Sequence, residues 1–88
     1  MKTQMSVEIA PDAFEQIMAM PMRDALDADR LLEKMWHGSF ERFAERATHT
    51  DKLDGAWKIR RKSVEFRVLI DPVSDTDVVA TVVGAKLR

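Results

Sequence analysis

The sequence predicts a single α+β domain over residues 1–88: a strand, two helices packed on one sheet face, then a three-stranded antiparallel meander. Two observations predict this fold class. Apolar residues recur with a period of about 3.6 in the first half of the chain, and with a period of about 2 in the second half and in a short N-terminal segment. The 88 residues also suffice for one modest core, while only 3 Gly and 3 Pro exclude a low-complexity chain.

The N-terminal elements follow from local patterns. Met5–Ile9 alternates apolar and polar residues and is expected to form the first strand. Pro11 suits the first position of a helix over residues 11–20, because its missing N–H has no helical partner there, and Pro21 ends that helix. The second helix is expected to begin near Arg23 and to bury an apolar stripe made of Leu31, Leu32, Met35 and Trp36.

Gly38 interrupts the helical pattern, and the sequence leaves open whether it breaks or kinks the second helix. Ser39 is a suitable N-cap for a short following helix. Trp36, Phe40 and Phe43 are expected in the core. The segment Thr48–Gly55 is polar and predicts a connection.

The second half has strand periodicity. Trp57 and Ile59 share one face of a strand, with Lys58 and Arg60 on the other. A turn at Arg61–Ser63 leads into a strand that carries Val64, Phe66, Val68 and Ile70 on one face, with Glu65, Arg67 and Leu69 opposite. After a second turn at Asp71–Asp77, the last strand is expected over Val78–Val83, closed by Gly84.

Composition excludes several classes of protein. The chain has no Cys, which excludes disulfide scaffolds and cysteine-based metal sites, and His37 and His49 lack ligand spacing, so neither a metal nor a cofactor is expected. No apolar run can span a membrane, and no secretory signal follows the first residues, so a cytoplasmic protein is expected. The net charge is −1, but four bases lie within Lys58–Lys62.

These charged and apolar clusters each admit two interpretations. The run Lys58–Lys62 forms either a phosphate- or protein-binding patch or the solvated face of an exposed hairpin. Arg42 and Arg46 are expected to pair with Glu41 and Glu45 on the helix surface. A set of methionines forms either core or an adaptable groove for a partner helix: Met18, Met22 and Met35.

An ordered set of motifs resembles the RelE/ParE superfamily of toxin–antitoxin toxins. Its elements are Lys52-Leu53-Asp54-Gly55, then Trp57-Lys58-Ile59-Arg60, then Phe66-Arg67-Val68, and finally Val82–Arg88 with Gly followed by basic residues. The opening segment Val7–Ala13 is also similar to the usual first strand and helix start. The likeness spans nearly the whole chain.

The resemblance implies a toxin of a type II toxin–antitoxin module, neutralised by a cognate antitoxin. One branch of the superfamily cleaves mRNA on the ribosome, and the other inhibits DNA gyrase. For the nuclease branch the resemblance implies catalysis by four bases: Lys58, Arg60, Arg67 and Lys86, with Arg88 as the alternative to Lys86. Three further bases would bind phosphate or RNA, namely Arg61, Lys62 and Arg88, and the methionines would form the antitoxin groove.

Three functional hypotheses stay open. Fixed cations suit RNA cleavage, because they stabilise the extra charge of a phosphorane. The chain has no Tyr, however, and ends four residues after Gly84 with a near-neutral charge, which favours a gyrase inhibitor or a non-toxic descendant that only binds protein. The sequence also leaves a homodimer open.

Overall fold

A five-stranded sheet with the spatial order β1-β5-β4-β3-β2 forms the framework of the domain. The computed structural model describes residues 3–49 and 55–88. The strands are β1 (Gln4–Ile9), β2 (Thr48–His49), β3 (Trp57–Arg61), β4 (Val64–Pro72) and β5 (Asp77–Leu87). β1 is parallel to β5, and the other neighbouring pairs are antiparallel, so the predicted meander β3-β4-β5 is confirmed.

Three helices connect β1 to β2: α1 (Pro11–Met18), α2 (Met22–His37) and α3 (Phe40–Arg46). Gly38 therefore ends α2 and does not merely kink it; its backbone is extended, with φ −97° and ψ 166°. Ser39 caps α3 as predicted, because its Oγ accepts a hydrogen bond of 3.3 Å from the backbone N–H of Arg42.

The sheet extends further than the sequence predicts. β5 continues through Gly84 to Leu87, and β4 includes Asp71 and Pro72, which were expected in the turn. A β-bulge explains the error in β5, because the register shifts where Arg67 pairs with Gly84 and Val68 pairs with Val82. The extra residue breaks the period of 2 that the prediction followed.

The predicted connection Thr48–Gly55 is only partly a connection. Thr48 and His49 pair with Lys58 and Trp57 and so add a short edge strand. Residues 50–54, with most of the motif Lys52-Leu53-Asp54-Gly55, lie outside the described residues.

The core lies between the helices and one face of the sheet. Val64, Phe66 and Val68 on β4 are fully buried, and the buried apolar residues of α1 and α2 belong to the same cluster. Phe43 is buried and Phe40 packs partly buried against this cluster, but Trp36 is 62% exposed. The prediction for Trp36 is wrong because Leu31 and Met35 point towards the sheet. Trp36 follows Met35 and lies about 100° further round the helix, so it points away from the core.

α1 covers an edge of the sheet that β1 leaves open. β1 pairs with β5 only as far as Val82, and there the N–H of Ala10 donates to the Val82 carbonyl. Further along β5, the N–H of Ala85 donates to Gln16 Oε1 on α1 at 2.8 Å. A side chain thus replaces the missing strand, which satisfies a donor that burial would otherwise leave unpaired.

Within the described residues, no helix has the length and apolar character needed to cross a bilayer.

Candidate functional site: a basic sheet face

The sheet face opposite the helices brings together the four bases that the sequence proposes as catalytic. Lys58 on β3 lies directly opposite Arg67 on β4, and Arg60 lies opposite Glu65. Glu65 in turn lies opposite Lys86 on β5. Because side chains alternate along a strand, these five residues share the face that points away from the core. We call them the basic face.

Glu65 lies at the centre of the basic face and holds two of its cations. Arg60 Nε donates to Glu65 Oε1 at 2.7 Å, and Lys86 Nζ lies 3.2 Å from Oε2. The Glu65 side chain is 5% exposed, whereas those of Arg60 and Lys86 are 55% and 68% exposed. A nearly buried carboxylate thus fixes the positions of two exposed cations.

The same contacts keep Glu65 ionised. Its pKa is lowered from the usual value near 4.5, mainly because the Arg60 hydrogen bond stabilises the carboxylate, with Lys86 adding to the effect. Burial opposes this shift, because desolvation disfavours the charged form, but it is outweighed. At neutral pH the basic face therefore carries four positive charges and one negative charge.

This arrangement suits a phosphate ligand. The ion pair uses the Nε of Arg60, so the two terminal guanidinium nitrogens stay available for bidentate binding. Neither His37 nor His49 lies on the basic face: His37 ends α2, and the His49 ring stacks on Trp57 at 4.5 Å. The chemistry of the basic face is accordingly that of fixed cations which stabilise negative charge.

The three further bases proposed for phosphate binding lie elsewhere. Arg61 shares the helix-covered face of β3 with Ile59, by alternation from the basic face. Lys62 lies in the β3–β4 turn with φ 53°, and its Nζ is 3.7 Å from Asp27 Oδ1. Arg88 lies beside the same turn, where its Nη1 donates to the Lys62 carbonyl at 3.3 Å and its N–H to the Ser63 carbonyl.

The three methionines proposed for an antitoxin groove fall into two groups. Met35 is 3% exposed and belongs to the core, whereas Met18 and Met22 are 67% and 80% exposed. Phe14 on α1 and Leu26 on α2 are also more than half exposed. Phe14 precedes Met18 by four residues, and Leu26 follows Met22 by four residues. We call Phe14, Met18, Met22 and Leu26 the apolar helix patch.

Glu65 is the residue of the basic face that the sequence interpretation did not single out. Its place opposite the core face was predicted, but the signal that could have identified it is its position between Arg60 and Lys86 in the strand register. That register depends on the bulge in β5, which the sequence pattern does not reveal. In the part of the chain that the structure describes, no group of three or more His, Cys, Asp or Glu side chains is arranged to hold a metal ion.

A chain of the toxin–antitoxin complex RelBE2 from Mycobacterium tuberculosis is similar in structure, with a TM-score of 0.72 over 94% of this chain and 96% of that chain. The two sequences are 15% identical. The two chains therefore share a fold. This confirms the predicted fold resemblance, although neither protein-family models nor curated proteins give a match to the sequence.

This fold accounts for how the basic face is presented. Its helices cover one face of the sheet, and the opposite face of β3, β4 and β5 carries the exposed side chains of Arg60, Arg67 and Lys86. The bases on that face belong to strands that are adjacent in the sheet, and their spacing is therefore set by backbone hydrogen bonds rather than by mobile loops.

Proposed function

We propose that this chain is the toxin of a type II toxin–antitoxin module and that the basic face is the surface that acts on its target. The fold supports the module, because the structural neighbour comes from a toxin–antitoxin complex. The observation that carries the assignment of the surface is the convergence of Lys58, Arg60, Arg67 and Lys86 from three adjacent strands around Glu65.

The chemistry that this face suits best is cleavage of ribosome-bound mRNA. The ribose O2′ attacks the phosphorus, the P–O5′ bond breaks, and a cyclic phosphate and a 5′-hydroxyl end result. The phosphorane intermediate carries more negative charge than the starting diester, and cations already held in place stabilise it without reorganisation. Arg67 and Arg60 would hold the phosphate oxygens, and Lys58 or Lys86 would assist proton transfer at O2′ and O5′.

A second target is favoured by one specific observation. Glu65 neutralises part of the charge of Arg60 and Lys86, so the face is less basic than its four cations alone imply. The whole chain is also near neutral, with a net charge of −1. High affinity for RNA usually needs many Lys and Arg side chains that are not paired with carboxylates. Inhibition of DNA gyrase by protein–protein contact therefore stands as the second candidate function.

The antitoxin would cover the apolar helix patch. Its four side chains are spaced one helical turn apart on α1 and α2, and each is more than half exposed. Such a stripe suits the apolar face of a partner helix, and flexible methionines adapt to it at small cost. The Met18 and Met22 part of the predicted antitoxin groove is thus retained in the proposal, and Met35 belongs to the core.

The test uses purified protein with ribosomes programmed with a defined mRNA, and in parallel with gyrase and relaxed plasmid. The natural chain is compared with Arg60→Gln and with Arg30→Gln, a control that removes the same charge from an exposed site on α2. We expect mRNA cleavage by the natural chain and the control, and a loss of at least about 100-fold in the variant, as for removal of one oxyanion-type donor.

Each result decides between the candidates. Inhibition of supercoiling without RNA cleavage supports the gyrase candidate. Cleavage that Arg60→Gln leaves unchanged shows that the basic face is not the active surface. Activity in neither assay, together with normal growth of cells that produce the soluble protein, contradicts the toxin proposal and leaves a protein-binding module.

A further inference from the structure

A second group of cations lies on the helix side of the sheet, around a pocket between α2, α3 and β3. The pocket has a volume of about 280 Å³. Its apolar floor comes from the core, and its rim carries Lys34 and His37 from the end of α2 and Arg42 and Arg46 from α3. The apolar residues of the floor are Met5, Leu31, Met35, Phe43 and Ile59.

The residues that the structure describes supply no carboxylate to Lys34, Arg42 or Arg46. Among residues 3–49 and 55–88, no carboxylate oxygen lies within 4.0 Å of a side-chain nitrogen of Lys34, Arg42 or Arg46. The expected pairs of Arg42 and Arg46 with Glu41 and Glu45 are therefore not formed. Glu41 instead accepts the backbone N–H of Thr3, at 2.6 Å and 3.0 Å from its two oxygens.

Arg61 adds a buried donor without an acceptor. Its Nε is removed from solvent and has no hydrogen-bond partner within the described residues. A buried donor without a partner is uncommon in native proteins, because its desolvation is not offset. Arg61 is not among the residues that line the pocket. It lies near one of them, because its charge is the largest cause that lowers the pKa of Lys34.

Helix electrostatics explain only part of this arrangement. Cations in the last turn of a helix interact favourably with its negative end, which accounts for Lys34 on α2 and Arg46 on α3 taken singly. It does not account for the convergence of both with Arg61, which comes from a strand, because the mutual repulsion of these cations costs free energy. A bound anion would relieve this repulsion.

We propose that this pocket binds a phosphate monoester with an apolar or aromatic group, the chemical class of nucleotides, through Lys34 and Arg46, with the charge of Arg61 nearby. A phosphate dianion matches several cations better than a single carboxylate does, and guanidinium groups bind it bidentately. The apolar part of the ligand lies on Met35 and Phe43. A volume of about 280 Å³ is at the lower end of the range for ligand pockets, which fits a ligand of about mononucleotide size or smaller.

This site lies on the opposite side of the sheet from the basic face and does not depend on the proposed function. The phosphate could belong to a free mononucleotide or to the 5′ end of an RNA strand, and both present the same chemistry. The two sources are distinguished by the choice of probes in the experiment.

The experiment is a calorimetric titration of the full chain with AMP, adenosine, inorganic phosphate and a short RNA with either a 5′-phosphate or a 5′-hydroxyl end. The variant is Lys34→Gln, and the control is Arg30→Gln, which removes one charge from an exposed position one helical turn earlier on α2. Both positions are exposed, so we expect both variants to fold, as circular dichroism would show. The Nε–Hε signal of Arg61 in a nitrogen–proton NMR spectrum reports on the pocket itself.

We expect AMP to bind at least about 10-fold more tightly than adenosine, because a hydrogen bond to a charged group is lost without the phosphate. Lys34→Gln should weaken AMP binding by about 10- to 100-fold, with little change in the control. AMP should also shift the Arg61 Nε–Hε signal. Tighter binding of the 5′-phosphorylated RNA than of AMP identifies an RNA end as the source, and equal or weaker binding identifies a free nucleotide.

Three results would overturn the proposal. The first is an absence of binding by every phosphate probe at millimolar concentration. The second is AMP binding that Lys34→Gln and Arg30→Gln weaken equally, or that leaves the Arg61 signal unchanged, because that binding would take place elsewhere. The third combines two observations: inorganic phosphate does not displace AMP from the natural chain or from the variants, and the Arg61 signal is shifted by an acidic peptide but by no phosphate probe. That result would assign the pocket to a protein partner.

Discussion

Replacement of Glu65 by Gln should change the stability of the domain and the affinity of the basic face in opposite directions. Glu65 makes two ion pairs, of 2.7 Å with Arg60 and 3.2 Å with Lys86, and its side chain is 5% exposed. A glutamine of nearly the same shape keeps one acceptor oxygen but places an NH₂ group against a cation. We expect the free energy of unfolding to fall by about 1–3 kcal/mol, the usual loss when a charged hydrogen-bonding partner is removed.

The effect on binding follows from Coulomb's law. A phosphate held by the terminal nitrogens of Arg60 would lie about 7 Å from the Glu65 carboxylate, across two hydrogen bonds and the guanidinium group. The repulsion at that distance is about 0.6 kcal/mol in water and about 2.4 kcal/mol at an effective dielectric constant of 20. Removal of the negative charge should thus tighten the binding of an RNA oligonucleotide by about 3- to 50-fold.

The assay is fluorescence anisotropy with a labelled single-stranded RNA at several salt concentrations, combined with urea denaturation of the same samples. Glu15→Gln is the matched control, because Glu15 is an exposed carboxylate on α1, away from the basic face. Unchanged or weaker RNA binding by Glu65→Gln, with the protein folded, would refute the argument that this carboxylate restrains a phosphate-binding surface. A gain of the same size in the control would show that only net charge matters.

Three further predictions concern stability. Phe66→Ala should lower the free energy of unfolding by about 3–5 kcal/mol, because Phe66 is fully buried, whereas Phe14→Ala at a 55% exposed position should change it by less than about 0.5 kcal/mol; urea denaturation measures both. Ser39→Ala should cost about 0.5–1 kcal/mol through the loss of the 3.3 Å cap of α3. An equal cost for Ser6→Ala, at an exposed position on β1, would contradict a capping effect. Acid should destabilise the fold through Glu65, because the pKa of this carboxyl is lowered in the folded chain. Its contribution to stability is complete above the usual pKa near 4.5 and is lost as the pH falls through the lowered pKa. Glu65→Gln should therefore make the thermal-unfolding temperature depend less on pH in that range.

The elements that the sequence predicts well are those with an uninterrupted period. β1, α1 and the β3–β4 hairpin follow the predicted pattern, and the cap at Ser39 follows from a local side-chain preference. β5 was predicted too short because its bulge changes the period, and a bulge depends on the partner strand. Trp36 was assigned to the core because it directly follows the apolar stripe of α2. The local sequence does not show whether such an aromatic residue lies within the buried stripe or just outside it.

The candidate site was predictable in composition but not in arrangement. Alternation along β3 places Lys58 and Arg60 on one face and Arg61 on the other. Because these bases are close together in sequence, they were interpreted as one patch. Only the sheet order places Lys86 opposite Glu65, and only the packing of α2 and α3 against β3 brings Lys34 and Arg46 together at one pocket. These are contacts between residues that are far apart in sequence, which periodicity does not encode.

The central claim is that the chain is a toxin which acts through its basic face. Its most direct test is bacterial growth after induction of the natural chain alone, beside a variant with Lys58, Arg60 and Arg67 all replaced by Ala and the control Arg30→Gln, at equal levels of soluble protein. The account predicts growth arrest by the natural chain and the control, and normal growth with the triple variant. Normal growth in all three cultures, or arrest in all three, would contradict it.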